Sequence, residues 1–190
     1  MQAAARMQIH TDKPTSKSEK LTAAKLRPLD EAVLTAMKNC ERDLQHELGY
    51  FRCPEQADFQ DRVTINGYEF STYRSCQSHG VIFFQDAGDA SALVPGTIRA
   101  IFLVTQDGTT HTFLAVHRHL TLPTSLSNPF ARYPDFGANL WSADIQEEVT
   151  IVPGSRRIYH AIYREWEYKI MVMKPLNRVS NTTIKWRSAH

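Results

Sequence analysis

The chain has 190 residues, of which 42% are hydrophobic, 10% aromatic and 22% charged, a composition typical of globular proteins. This length fits one domain with a terminal extension, and no apolar run approaches the roughly 20 residues that span a bilayer. The N-terminus lacks the apolar segment of a secretory signal, and three cysteines are too few for a disulfide framework. We therefore expect an intracellular protein.

The formal net charge of +2 is distributed unevenly along the chain. Residues 1–27 carry +4, residues 28–155 carry −8 and residues 156–190 carry +6. Basic segments attract nucleic acid or acidic protein surfaces, although a solvated tail has the same composition. The nucleic-acid hypothesis concerns six basic side chains: Lys13, Lys17, Lys20, Lys25, Arg156 and Arg157.

The first 49 residues divide into a polar arm and a helix. Residues 1–27 are rich in Lys, Ser, Thr and Ala without periodicity, which predicts a disordered basic arm. Residues 28–49 predict one amphipathic helix, with acidic residues in its first turn and Gly49 as its stop. Apolar side chains recur there every three or four positions, at Leu29, Val33, Met37, Cys40, Leu44 and Leu48.

Residues 50–178 carry the period-two patterning of β-strands. After an irregular connector over 50–62, Asn66-Gly67 joins two β-prone runs and predicts a type I′ hairpin. The central feature is Leu93–Leu120, where alternating residues on both sides of Asp107-Gly108 predict a longer hairpin.

The first strand of that central hairpin is predicted in more detail. Pro95-Gly96 predicts a turn at its start. Strict alternation then puts four apolar side chains on one face of the strand: Ile98, Ala100, Phe102 and Val104.

A long connection over 122–139 is rich in proline and aromatic residues, and loops of this length tend to be functional. Strands are predicted beyond it at 148–152, 158–163 and 167–173, and residues 179–190 are expected to be frayed. Short strands separated by Gly and Pro turns predict a mainly β fold. We expect a small β-barrel of about seven strands with one N-terminal helix.

Core and turn motifs then follow in an order that is found in a known family. Val63–Tyr68 corresponds to the family's "nG-x-x-Y" opening strand, Pro95–Ile98 opens an I-x-x-I strand, and Leu140-Trp141-Ser142 precedes the last strands. Because its motifs occur in this order, the region from about residue 60 to residue 178 resembles the bromo-adjacent-homology domain, a barrel-like β module. The region is still more similar to uncharacterised domains at the C-terminal end of fungal mobile-element proteins, which carry strings similar to Ala131–Ala138 and Ile158–Ala161.

The resemblance implies a non-enzymatic chromatin- or protein-interaction module of a mobile-element-derived protein, located in the nucleus. Its partners are expected to be protein or chromatin, with nucleic acid bound through the basic segments as the first alternative, and no membrane. The family usually has Trp or Tyr where this chain has His117-Arg118-His119, so the chain departs from the family's methyl-lysine cage at that point.

Aromatic side chains outnumber what one small core requires, and several of them lie on the long proline-rich connection. Two to four aromatic faces around a cation form a cage through cation–π attraction. The candidate partner-binding residues combine the end of the central hairpin with these aromatics: His117, Arg118, His119, Phe130, Tyr133, Phe136 and Trp141.

Two short arrangements suggest a metal, but each is incomplete. His117-x-His119 places two imidazoles on one face of a strand, and Cys76-x-x-His79 has half of a zinc-finger spacing. A metal-dependent enzyme centred on His117 and His119 is the second alternative function. The chain has no nucleophile elbow, P-loop, dinucleotide fingerprint or zinc-protease motif, so we predict that it has no metal, no cofactor and no catalytic residues.

Overall fold

The computed structural model describes residues 26–89, 91–123, 126–166 and 170–176. These residues form eleven strands, three α-helices and two 3₁₀ turns. The strands are β1 (Leu26–Pro28), β2 (Gln56–Gln60), β3 (Arg62–Ile65), β4 (Tyr68–Ser71), β5 (Val81–Gln85), β6 (Leu93–Gln106), β7 (Thr109–His119), β8 (Asn139–Ser142), β9 (Ile145–Pro153), β10 (Ile158–Trp166) and β11 (Ile170–Pro175). The helices are α1 (Glu31–Asn39), α2 (Glu41–Leu48) and α3 (Gln77–Gly80), and the 3₁₀ turns are Pro129–Arg132 and Pro134–Phe136.

Nine strands form one antiparallel sheet. Seven of them follow the order β1-β2-β6-β5-β10-β11-β8, while β7 pairs with β6 and also with the ninth strand, β9. Strands β3 and β4 form a separate two-stranded hairpin. The mainly β prediction is therefore confirmed.

The two predicted hairpin turns are confirmed by their backbone angles. Asn66 and Gly67 have φ of 52° and 80°, and Asp107 and Gly108 have φ of 50° and 77°. Both central residues of a type I′ turn require positive φ, which Asn, Asp and Gly tolerate best. The long β6–β7 hairpin is therefore the centre of the sheet, as its sequence predicts.

The central hairpin is covered on both faces. Phe102 and Phe113 pack with α1 and α2 in one core cluster. Ile101 and Leu114, next to them in sequence, pack with the β3–β4 hairpin in another cluster on the opposite face. Both faces of β6 and β7 are therefore apolar, because each face has a partner to bury.

The predicted closed barrel of about seven strands is wrong: within the described residues the large sheet stays open and the strands number eleven. β6 pairs along one edge with β5 over its first half and with β2 over its second half, so the sheet forks there. A small barrel keeps a polar outer face, whereas here helices cover one face and a hairpin the other. The ends of β7 and β8 approach each other through only two backbone bonds, Ser142 N–H to Leu120 O at 2.9 Å and Leu120 N–H to Asp144 O at 3.0 Å.

The predicted turn at Pro95-Gly96 is also wrong, because both residues lie inside β6. Gly96 pairs with Ile82 of β5 and with Arg118 of β7. A Cβ added at Gly96 would lie 2.4 Å from Val116 Cγ1 and 2.9 Å from His117 O. Glycine is therefore needed here because the neighbouring strand lies close, not because the chain reverses direction.

The predicted single face of β6 is interrupted by a bulge. The pairing of β6 with β7 shifts between Ile98 and Ala100, so that one extra residue lies on β6. Ile98 consequently packs on the β3–β4 side, whereas Phe102 and Val104 pack on the helix side. Strict alternation predicts all of these side chains on one face of β6.

The single helix predicted over 28–49 is two helices. Asp30 is the N-cap of α1, and its carboxylate accepts a hydrogen bond from the Val33 N–H at 3.0 Å. Cys40, with φ −102° and ψ 7°, ends α1 and precedes α2. The apolar stripe nevertheless packs on the domain's own sheet, where four of its members are buried: Leu29, Val33, Met37 and Leu44.

The strand β1 includes the last two residues of the predicted arm, and β2 lies within the predicted connector, so both segments are more ordered than their composition predicts. Residues 1–25 and 177–190, which hold the rest of the arm and the predicted tail, lie outside the described residues. Among the described helices, none combines the length and apolarity needed to cross a bilayer.

Candidate functional site

Three of the predicted aromatic residues line one pocket on the connection between β7 and β8. The two 3₁₀ turns follow each other there, and the Tyr133 N–H donates to Phe130 O at 2.8 Å while the Phe136 N–H donates to Tyr133 O at 2.9 Å. Tyr133, with φ −128° and ψ 67°, joins the two turns, and the side chains of Phe130, Tyr133 and Phe136 line the same pocket. We call these side chains, together with Pro129, the aromatic pocket; its volume is about 470 Å³.

The aromatic pocket is open to solvent. Tyr133 is 66% exposed and Phe136 is 48% exposed. The rings of Phe130 and Phe136 have centroids 5.7 Å apart and planes inclined by 31°. Large aromatic side chains exposed together in this way are typical of a binding surface rather than of a core.

Asn128 ties the loop that carries the pocket to the start of β8. Its side-chain amide oxygen accepts from the Phe130 N–H at 3.0 Å, and its amide nitrogen donates to Asn139 Oδ1 at 3.0 Å. Asn139 begins β8, which pairs with β11. The pocket is thus held on the sheet by hydrogen bonds from the residue that opens the first turn.

A cation of the protein itself lies on one ring of the pocket. Lys174, on β11, places its Nζ 4.6 Å from the centroid of the Phe136 ring. This distance is within the range of cation–π attraction. The Phe136 face therefore already accepts an ammonium group.

Trp141 is placed elsewhere. It lies on β8 and packs half-buried against a third core cluster that contains Phe83 and Met171. Its Nε1 is shielded from solvent and has no hydrogen-bond partner among the described residues. Trp141 does not line the aromatic pocket.

His119 is a buried structural residue rather than an available ligand. Its Nδ1 lies 3.0 Å from Ser142 O and its Nε2 lies 3.1 Å from Thr97 Oγ1. Because a carbonyl only accepts, Nδ1 carries the proton and Nε2 accepts from the Thr97 hydroxyl. Burial lowers the pKa of His119, an effect that the hydrogen bond to Ser142 partly offsets.

His117 and Arg118 are likewise held by the sheet. His117 Nδ1 lies 2.9 Å from Gln146 O, and a bulge in the β7–β9 pairing separates His117 from His119. Arg118 donates to Asp86 Oδ1 at 2.6 Å and to Thr150 Oγ1 at 3.0 Å. These contacts tie β7 to its neighbours, and none of them involves the aromatic pocket.

The described residues contain no group of three or more His, Cys, Asp and Glu side chains arranged to hold a metal ion. Burial raises the pKa of the Cys40 thiol to about 11 and also raises that of Cys53. The hydrogen bond with the Ser78 hydroxyl lowers the pKa of the Cys76 thiol.

Arg156 and Arg157, the two described members of the basic set, have different surroundings. Arg156 Nε donates to Glu47 Oε2 at 2.9 Å and its side chain is only 12% exposed. Arg157 is exposed and lines a different groove. The four lysines of the set, Lys13, Lys17, Lys20 and Lys25, lie outside the described residues.

Two surface features were not found by sequence reasoning. One is an acidic groove of about 680 Å³ beside α1, with Asp30, Glu31, Glu147 and Glu148 among its lining residues. The other is the groove that Arg157 lines, between the β3–β4 hairpin and β10. Both are assembled from segments far apart in the chain, so no local pattern could have indicated them.

Comparison of the chain with family models, with curated proteins and with solved structures finds no match.

Proposed function

We propose that the chain is a non-enzymatic interaction module that binds a segment of a partner protein in the aromatic pocket. The observation that carries this proposal is the convergence of Phe130, Tyr133 and Phe136 on one exposed apolar surface. A binding loop on a rigid sheet is a common arrangement in recognition domains. The resemblance of residues 60–178 to bromo-adjacent-homology modules supports the same class of function.

The chemistry of the pocket favours a lysine side chain as the inserted group. Lys174 already covers one face of Phe136 with an ammonium group, so the exposed ring of Tyr133 is the face that we propose for a partner's lysine. The alkyl stem of a lysine suits the apolar wall that Pro129 and Phe130 provide. The net charge of −8 over residues 28–155 attracts a basic segment at longer range.

Lysine-rich tails of chromatin proteins have this chemistry, and we propose them as the partner class, with the nucleus as the compartment. Direct nucleic-acid binding has less support. Arg156 is engaged with Glu47, and Arg157 lies at a separate groove. Binding to phosphates weakens steeply with added salt, whereas cation–π binding in an apolar pocket changes little.

The test is calorimetric titration of the full chain with a histone-tail peptide, unmodified and with one lysine trimethylated, at two salt concentrations. Tyr133→Ala removes an exposed ring of the pocket and is expected to weaken peptide binding about tenfold. Tyr50→Ala is the matched control, since Tyr50 is 72% exposed and does not line the pocket. Equal binding by both variants, or absence of binding by the wild type, would overturn the proposal.

A further inference from the structure

A second pocket lies between the β3–β4 hairpin and the start of β10, remote in sequence from the aromatic pocket. We call it the hairpin groove; its volume is about 370 Å³. Its lining residues come from three segments of the chain: Asn66, Tyr68, Phe70, Arg157, Ile158, Tyr159, His160 and Leu176. We propose that the hairpin groove binds a small planar aromatic anion of one or two rings, such as an aromatic carboxylate.

The walls of the groove suit an aromatic ring. Phe70 is 1% exposed and stacks on the His160 imidazole, with centroids 4.5 Å apart and planes inclined by 18°, so it supports that imidazole in the lining from behind. Tyr68 adds a further aromatic side chain to the lining, whereas the Tyr159 side chain packs with Phe83 on the opposite face of β10. Planar rings pack favourably against such faces in offset or edge-on arrangements.

The groove is held in shape by backbone contacts on both sides. The type I′ turn fixes Asn66 and Gly67 with positive φ at one end. The Leu176 N–H donates to His160 O at 2.8 Å, which places the Leu176 side chain against β10 at the other end. A volume of about 370 Å³ lies at the lower end of the range of ligand pockets, and it matches a one- or two-ring molecule better than a polymer.

The charge of the groove selects an anion. Among the described residues of the lining, Arg157 is the only guanidinium and none is Asp or Glu. The Arg157 carbonyl accepts from the Gln85 N–H at 3.0 Å, which fixes its backbone, while its side chain is exposed and forms no ion pair with any described carboxylate. A guanidinium in this position binds a carboxylate through two parallel N–H donors.

The test is an NMR titration of the full chain with indole-3-carboxylate and with its neutral analogue indole-3-carboxamide. The carboxylate is expected to bind saturably and more tightly than the carboxamide. Arg157→Gln is expected to weaken carboxylate binding about three- to fivefold, the size of an exposed charge interaction, and to leave carboxamide binding unchanged. Arg164→Gln is the matched control, because Arg164 is an exposed arginine of β10 outside the groove.

Equal affinity of the wild type for carboxylate and carboxamide would overturn the proposal, and so would equal effects of the two arginine substitutions. A third variant, Leu176→Trp, fills the groove from a partly exposed position and is expected to abolish binding of both probes. Retention of carboxylate binding by Leu176→Trp would place the ligand elsewhere and contradict the assignment. The outcome does not depend on the aromatic pocket, so the two proposals are tested separately.

Discussion

At the scale of single residues, Gly96 shows how a turn-forming dipeptide can belong to a strand. Pro-Gly is a strong turn signal, but here the glycine lies where β5, β6 and β7 meet. Position 96 requires glycine, and only the tertiary structure shows that the reason is the lack of space for a Cβ beside the neighbouring strand.

Gly96→Ala is expected to destabilise the fold by roughly 3 kcal/mol, because the new Cβ would lie too close to Val116 and to the His117 carbonyl. Urea unfolding followed by circular dichroism measures this change. Gly88→Ala is the matched control, since a Cβ there meets no atom within 4 Å and the backbone needs no positive φ. A Gly96→Ala variant as stable as the Gly88→Ala variant would show that the strands can move apart at no cost.

His119 gives the fold a dependence on pH. Its pKa in the folded state is lowered by burial below the ordinary value of 6.5, so the unfolded chain binds the proton more readily. The free energy of unfolding is therefore unaffected by His119 protonation above pH 6.5, and it decreases as the pH falls below that value. His119→Asn should therefore reduce the fall in the urea midpoint between pH 7.5 and pH 5.

The control for that experiment is His46→Asn, because His46 is an exposed imidazole on α2. It should retain the pH dependence of the wild type. Identical pH profiles for the wild type and His119→Asn would contradict the assignment of the titration to His119.

At the scale of elements, short-range signals with a steric basis were reliable. Asn66-Gly67 and Asp107-Gly108 specify their turns because few residues tolerate positive φ. Signals that depend on distant partners were not reliable. The bulge after Ile98 and the strand β2, which lies between β1 and β6, are determined by pairing with other strands, which leaves no mark in the local pattern.

The break between α1 and α2 belongs to the same class. The apolar spacing continues through Cys40 without interruption, so periodicity alone predicts one helix. The helices nevertheless divide there, and each presents its apolar face to the sheet. The stripe predicts which residues are buried better than it predicts where a helix ends.

The start of α1 can be tested through its cap. Asp30 both accepts from the Val33 N–H and forms an ion pair with Arg99 Nη2 at 3.0 Å. Asp30→Ala should cost about 1–2 kcal/mol in the free energy of unfolding, since it removes the cap. Asp30→Asn keeps a capping oxygen and should cost less than about 1 kcal/mol, because the ion pair is exposed. Equal losses in denaturant unfolding would assign the effect to the ion pair instead.

At the scale of the whole molecule, the β class could be predicted from the sequence, but the open sheet could not. Both strands of the central hairpin are apolar on two faces, and the sequence does not say whether a second sheet layer, helices or barrel closure buries them. In the candidate site, the three-residue spacing of Phe130, Tyr133 and Phe136 is visible in the sequence and allowed these residues to be predicted together. The location of His119 and Trp141 in the core depends on neighbours that only the folded chain brings together.

We propose that the aromatic pocket receives a lysine side chain from a partner. The most direct measurement is a titration of the full chain with a lysine-bearing histone-tail peptide, followed by NMR of the aromatic side chains. We expect the ring resonances of Phe130, Tyr133 and Phe136 to shift together and saturate, and replacement of the peptide lysine with norleucine to weaken this response. Saturable shifts confined to other surfaces, or no response of these three rings, would contradict it.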